Sequence, residues 1–362
     1  MKVNKEFIKG HGAVIVNICT LLIWCFVCVA AIVGMLVYAS GKTIVIADSV
    51  SEGTLGEQEL ELSKEHGSQL EFKFTYQEKN QFLIPLPHAL KAEGVIVENR
   101  YREKQLWIYL NGVEEEDFAD VVIEGRTSVV ELGKMEAWGD GVVFKLQMQG
   151  IYEYRSTLND RQLAIEYYQP HEIYDTVVVV DAAGGGTAGG VATDDLQEKN
   201  VTLQLAQRLQ KQFVHVNIKV FFTRLEDKAL SREERAQLAK DVNADVFLSL
   251  CLMDTTDTVQ YGIGGYYNEQ YVIPGYGNPQ VADALTRNVT VAASNRALGL
   301  FPVSEEHILS LLTVPAAQVS VGCIGNEQER ELLQKEAYLD KLTKGLQEAI
   351  LEIHEKLKEG QE

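Results

Sequence analysis

The residues best able to do chemistry lie between positions 181 and 323. They are the acids Asp181, Asp194, Asp195 and Glu198, the thiols Cys251 and Cys323, His307, and the run Gly184-Gly185-Gly186-Thr187-Ala188-Gly189. The glycine run satisfies G-x-G-x-x-G directly after a β-branched stretch, the pattern of a dinucleotide loop. Its glycines do not open a helix, because Gly190 and the polar stretch 191–195 intervene. Asp194, Asp195 and Glu198 would also stand close to any phosphate, so the run reads as a glycine loop without a nucleotide. Cys251 could serve as a nucleophile only with a nearby base and oxyanion donors. No such partner is visible, and a buried thiol at a strand end is the simpler expectation. The histidines show no H-E-x-x-H or similar metal spacing. His307 reads as a solvated or capping histidine, and Asp194 and Asp195 as first-turn acids favoured by a helix dipole.

The elements that must position these groups begin after Pro170, where strands and helices alternate as in a mainly parallel sheet flanked by helices. Val177–Val180 is a continuous β-branched run, expected of a strand buried on both faces. A helix is expected over about Leu196–Phe213, then a strand over Ile218–Thr223. Ser231 and Glu234 form an S-x-x-E capping box for the next helix. A strand over Asp245–Leu250 follows. Asn278-Pro279 supplies an N-cap and first-turn proline for a helix reaching about Leu298. A strand at Gln318–Val321 and a helix over Glu336–Lys358 complete the domain. Tyr338, Leu342, Leu346, Ile350 and Ile353 or His354 form that helix's apolar stripe, and Gly360 can end it.

Residues 70–170 read differently. Leu70 to Tyr76 alternates strictly, as a half-buried strand does. Further runs at Gly94–Glu98, Gln105–Leu110, Ala119–Glu124, Ser128–Leu132, Gly141–Gln147 and Gln162–Tyr168 are separated by turn signals such as Asn111-Gly112. This predicts an antiparallel sandwich or small barrel with no nucleophile motif, suited to binding or spacing.

The chain of 362 residues carries a net charge of −19 and is 46% hydrophobic, which excludes a disordered protein and argues against a general nucleic-acid binder. Residues 13–38 contain no charge, and at about 1.5 Å per residue they cross a hydrocarbon core of about 30 Å. The run is longer than a signal-peptide core, which predicts an uncleaved anchor over 13–39. Lys2, Lys5 and Lys9 against Glu6 give residues 1–12 a local charge of +2, which predicts a cytoplasmic tail and an extracytoplasmic remainder. Removing that +2 from −19 leaves −21 outside, with residues 40–69 as a spacer bearing a strand near Thr43–Ala47.

Taken in order, the motifs of residues 171–362 resemble the zinc-dependent N-acetylmuramoyl-L-alanine amidases of the amidase_3 family. The resemblance rests on Val177–Val180 with Asp181-Ala182-Ala183-Gly184-Gly185-Gly186, and on Glu198-Lys199 opening a helix. It continues through Thr223-Arg224 with Asp227, Leu230, Arg232 and Arg235, then Val242-Asn243-Ala244-Asp245 leading to Ser249-Leu250-Cys251. Gly264-Gly265-Tyr266-Tyr267 and Pro315 to Asn326 close it. Together these cover about half the chain. The resemblance implies an amidase_3-like α/β fold over 175–358, preceded by an all-β module similar to the AMIN-type wall-binding modules and by a transmembrane helix.

The family's zinc is held by a His in the first loop, a Glu at the helix start and a His ending a later strand, with a second Glu as general base. Carried onto this chain, those positions are Gly184, Glu198, Cys251 and Ser320. Only Glu198 keeps its chemistry. Cys251 offers a thiolate in place of an imidazole, and a serine hydroxyl is too weak a base near neutral pH. The resemblance also places Asp181, Gly185, Gly186, Arg224 and Tyr266 at substrate-facing positions, and brings Cys251 and Cys323 near enough to pair. The expectation is a membrane-anchored pseudo-amidase without a cofactor, binding peptidoglycan or a cell-wall, division or sporulation protein. The alternative is an active amidase with zinc on Glu198, Cys251 and a third ligand.

Overall fold

The computed structural model describes residues 43–44, 70–72, 80–118, 124–126 and 129–360. The expected tail, the anchor at 13–38 and most of the spacer lie outside these residues. Among the described residues no helix is long and apolar enough to cross a membrane.

The N-terminal part is a sandwich of two five-stranded antiparallel sheets. One sheet has the order β1 (Thr43–Ile44), β9 (Glu153–Asn159), β10 (Gln162–Tyr168), β3 (Gln81–Pro85), β6 (Glu124–Arg126). The other runs β2 (Leu70–Phe72), β7 (Val130–Trp138), β8 (Gly141–Met148), β5 (Gln105–Asn111), β4 (Val95–Arg100). Alternation builds the core: Leu106, Ile108 and Leu110 of β5 turn inward to meet Phe82, Phe144, Leu146 and Ile165. Strand β1 comes from the stretch read as a spacer and pairs with β9, Thr43 opposite Leu158. The sequence reading passed over β3 and β9. In β9 the buried positions include Glu153 and Ser156, so the chain lacks the apolar alternation that marks a strand.

After a 3-10 turn at Pro170–Glu172, the chain forms a six-stranded mixed sheet. Its order is β12 (Ile218–Phe222), β11 (Thr176–Ala182), β13 (Val246–Met253), β16 (Ala316–Cys323), β14 (Ile263–Tyr267), β15 (Ala297–Pro302). The first four strands are mutually parallel, β14 runs antiparallel to β16, and β15 runs parallel to β14. The mainly parallel sheet is thus present, with a reversed edge pair.

All of β11 is buried. Val178 and Val180 face a core shared with helices α1 (Glu198–Gln212), α3 (Asn278–Ala293) and α5 (Glu336–Glu359). Val177 and Val179 face the opposite core, with α2 (Arg232–Asp241) and the 3-10 turn Ile308–Leu311. Burial of each such side chain contributes roughly 1.5–3 kcal/mol. A short helix, α4 (Glu327–Leu333), links β16 to α5.

Helix boundaries follow their capping chemistry. Ser231 accepts from Glu234 N–H at 3.1 Å, and the Glu234 carboxylate reaches back to Ser231 N–H at 2.7 Å. Helix α3 departs from expectation at both ends. Gly277 is its N-cap, and the Asn278 side chain instead ties Asn268 and Tyr271 carbonyls to Ala316 N–H. The helix stops at Ala293, where Ser294 turns left-handed (φ 53°), and the stretch read as its last turn is strand β15. The α5 stripe is buried as its 3.6-residue spacing requires: Tyr338, Leu342, Leu346, Ile350, Ile353 and His354 all point inward.

Candidate functional site

Strand β12 lies on one side of β11 and β13 on the other, so the chain reverses direction across the sheet between β11 and β13. The crevice at the carboxyl ends of such strands is where an open α/β sheet carries its site. Here those ends bring Asp181, Gly184, Glu198, Cys251 and Ser320 into one neighbourhood.

Glu198 is the first residue of α1 and is buried. Its Oε1 accepts from Leu252 N–H at 2.8 Å and its Oε2 from Val191 N–H at 3.1 Å. The 184–191 loop folds back onto the helix start, with Glu198 N–H bonded to Val191 C=O at 2.9 Å. Gly190 (φ +69°) makes this approach possible, since a Cβ there would overlap Glu198 Oε2. Burial raises the Glu198 carboxyl above its ordinary value, partly offset by the two backbone donors.

Gly184 has φ +78°, a left-handed conformation costly for any other residue. A Cβ on it would also lie 3.0 Å from Lys199 Cβ and 3.1 Å from Ala188 C=O. Cys251 is buried beside Ser320, its register partner on β16. Burial, then the charges of Glu198 and Asp181, push its thiol well above the ordinary range. Ser320 is fully buried and accepts from Gly264 N–H at 3.2 Å. Cys251 and Cys323 are both free, so the pairing that the family pattern allowed is not formed. Cys323 lies against Met253 instead, its sulfur 3.7 Å from the thioether.

Three donors converge on buried Asp181: Thr223 Oγ1 at 2.9 Å, Ser249 Oγ at 2.8 Å and Arg235 Nη1 at 2.8 Å. Arg224 is fully buried and donates five hydrogen bonds, to the carbonyls of Ala182, Ala183, Lys199 and Glu226 and to Thr202 Oγ1. Both residues, expected at substrate-facing positions, are framework: they clamp the strand ends and the start of the glycine loop. Gly185 is buried against Lys228, and Gly186 N–H is taken by Asp227 Oδ1 at 2.6 Å. Lys199 completes that clasp, 2.7 Å from Asp227 and 2.9 Å from Gly186 C=O. Tyr266 is half-buried against Phe301 and pairs with Ser320; burial pushes its hydroxyl up to about 12.

Asp194 and Asp195 precede α1 and do not sit in its first turn. Asp195 instead pairs with Arg330 at 3.2 Å. His307 caps the 3-10 turn: its Nδ1 accepts from Leu309 N–H at 3.2 Å, which leaves Nε2–H to donate to Gln318 Oε1 at 2.8 Å. Gln318 Nε2 donates to Ser249 Oγ at 3.2 Å, extending a chain of polar contacts from His307 to Asp181. The sequence reading passed over Gln318, although a glutamine within an otherwise apolar strand was a usable signal.

A catalytic zinc site needs three protein donors and one open position. Gly184 offers no side chain and Ser320 only a hydroxyl, which leaves Glu198 and Cys251 as two donors, one short of three, so this donor set does not fit the metal. No group of three His, Cys, Asp or Glu side chains that could hold a metal ion occurs among the described residues.

The fold is an α/β domain with a six-stranded mixed sheet whose strand ends are tied by buried polar side chains. Residues 178–352 match the family model for N-acetylmuramoyl-L-alanine amidase (Amidase_3), so this part of the chain is an amidase-like domain. N-acetylmuramoyl-L-alanine amidase CwlM of Bacillus licheniformis is 27% identical over 172 residues, 46% of this chain and 64% of that protein. The match thus spans less than two thirds of that relative's length. The germination-specific N-acetylmuramoyl-L-alanine amidase of Bacillus subtilis is 26% identical over 191 residues, 48% of this chain and 78% of the relative. Among solved structures, the catalytic domain of CwlV from Bacillus (Paenibacillus) polymyxa var. colistinus aligns with a TM-score of 0.45 at 23% identity. That alignment covers 50% of this chain and 99% of that domain.

Proposed function

We propose that this amidase-like cell-wall protein is a pseudo-amidase that binds peptidoglycan, or a cell-wall protein partner, without cleaving it. One observation carries the reading: Glu198 is not joined by two further His, Cys, Asp or Glu side chains that could hold a metal with it among the described residues, and its carboxylate is held by two backbone N–H donors instead. The absence of a side chain at Gly184, the desolvated Cys251 thiol and a hydroxyl at Ser320 support it. An amidase of this family draws its nucleophile from metal-bound water. Without the metal there is no activated water, and Ser320 offers no base to replace it. What remains is a shaped surface: the clasped glycine loop, half-buried Tyr266 and exposed Phe301.

The uncharged run at 13–38 supports a single-pass anchor with the folded part outside the cytoplasm. A net charge of −21 on that part disfavours simple attraction to anionic wall polymers, so binding would rest on shape and hydrogen bonding.

The test is metal analysis of the purified protein together with turnover of purified peptidoglycan. The expected outcome is substoichiometric zinc, no release of stem peptide, and co-sedimentation with insoluble peptidoglycan. Stoichiometric zinc with amide cleavage would overturn the proposal. Absence of sedimentation would leave a protein partner as the ligand.

A further inference from the structure

Strand β12 is an edge of the α/β sheet. An edge strand leaves a row of backbone N–H and C=O groups without ladder partners. The sandwich meets that row. The turn between β4 and β5, residues Tyr101–Lys104, places the Tyr101 hydroxyl where it accepts from Phe222 N–H at 3.1 Å and donates to Phe222 C=O at 2.9 Å. One side-chain oxygen thus does what a neighbouring strand would do. The ring packs edge-to-face on Phe221, centroids 5.1 Å apart, and Ile151 joins the apolar cluster of Val177, Val179 and Phe221. Arg102 donates to Thr223 C=O at 3.3 Å and pairs with Glu226 at 3.6 Å. Ion pairs Lys104–Asp241 at 3.0 Å and Glu153–Lys219 at 2.8 Å flank the contact.

The segment gripped here, 222–228, also holds the glycine loop from its other side. Thr223 Oγ1 bonds Asp181, Arg224 clamps the carbonyls of Ala182 and Ala183, and Asp227 takes Gly186 N–H. We propose that the Tyr101–Lys104 turn is a positioning element of the glycine-loop surface. The sandwich is therefore a built-in support of the α/β domain's site, coupled to it through residues 222–228. Tyr101 and Arg102 act through that segment. The inference does not depend on what the surface binds.

Hydrogen exchange of the full chain tests it, with Tyr101→Phe, which keeps the ring and removes the hydroxyl, and with Arg102→Gln. Peptides spanning 222–228 and 184–191 should exchange about five- to tenfold faster in Tyr101→Phe, which removes both part-buried hydrogen bonds of the hydroxyl. Peptides over 142–148 in the sandwich core and 316–323 in the sheet should keep wild-type rates. Wild-type rates at 184–191 in both variants would overturn the proposal, even if 222–228 loosened. If Tyr101→Phe accelerates exchange everywhere, Arg102→Gln decides by the same local comparison, since its side chain lies at the domain boundary outside either core.

Discussion

Two sets of residues share the carboxyl ends of the central strands, and they differ in what their polar atoms meet. Asp181 is met by Thr223, Ser249 and Arg235, and Arg224 by four carbonyls and Thr202, so the buried carboxylate and the buried Arg224 guanidinium are each matched by partners. Gly184, Glu198, Cys251 and Ser320 occupy the positions that, in the family, would present open coordination and a base. Here each is closed, by backbone donors, by a left-handed glycine or by burial. The contrast teaches that neighbouring strand ends can be held by different means: the first set by side chains of matched charge and hydrogen bonding, the second by backbone donors and burial. The first set stabilises the strand ends whether or not a metal is held, because buried charges left unpaired are costly.

The largest effect should come from Arg224→Met. It leaves four carbonyls and a hydroxyl without their buried donor, and we expect a loss of about 3–5 kcal/mol in urea unfolding. A loss under about 1 kcal/mol would dissolve the distinction between framework and vacated site. Asp181→Asn should follow at about 3 kcal/mol, because Arg235 loses its charged partner. Gly184→His should cost about 1–2 kcal/mol through its left-handed backbone. Combined with Cys251→His and Ser320→Glu, it should still not give stoichiometric zinc by metal analysis. Full occupancy in that triple variant would show that the loop opens readily and that the closure of Glu198 is weak. Ser231→Ala, at the cap of the helix that carries Arg235, should cost about 1 kcal/mol by loss of the cap.

The smallest effect concerns pH. Burial holds the His307 and His354 imidazoles below their ordinary value. As pH falls through the ordinary histidine value of about 6.5, the unfolded chain takes up these protons first. Their contribution is therefore complete above that value and is lost as pH falls toward the folded values. His307→Asn keeps an acceptor for Leu309 N–H and removes the titration. It should flatten part of the drop in melting temperature between about pH 7 and pH 5, with His354 carrying the rest. An unchanged slope would place His307 outside the coupled polar chain.

Much of the fold was legible because burial imposes periodicity. The Val177–Val180 run could only be a strand covered on both faces, and the α5 stripe could only be one side of a helix. Strands β9 and β15 escaped because they bury little apolar surface: β9 turns Glu153 and Ser156 inward, and β15 is almost wholly exposed. Asn278 carried an N-cap's residue type but serves as a cross-link, a choice made by neighbours far away in sequence. At the site, the ordered motifs named Gly184, Glu198, Cys251 and Ser320, and the strand ends place Cys251 opposite Ser320 and Glu198 beside Leu252. The motifs could not tell that Asp181 and Arg224 would be enclosed, since burial of a charged group depends on partners from other strands.

The sequence by itself determined the families of elements, the order in which they come and the residue types at the crevice. Those types fix what chemistry is available, because a glycine cannot ligate and a serine is a poor base whatever surrounds it. Only the tertiary structure decided what each remaining group is doing. It bonded both oxygens of Glu198 to backbone donors, buried the Cys251 thiol near the carboxylates of Glu198 and Asp181, and set the Tyr101 hydroxyl on the sheet's free edge. These outcomes arise from hydrogen bonds and desolvation between segments tens of residues apart, which local pattern cannot encode.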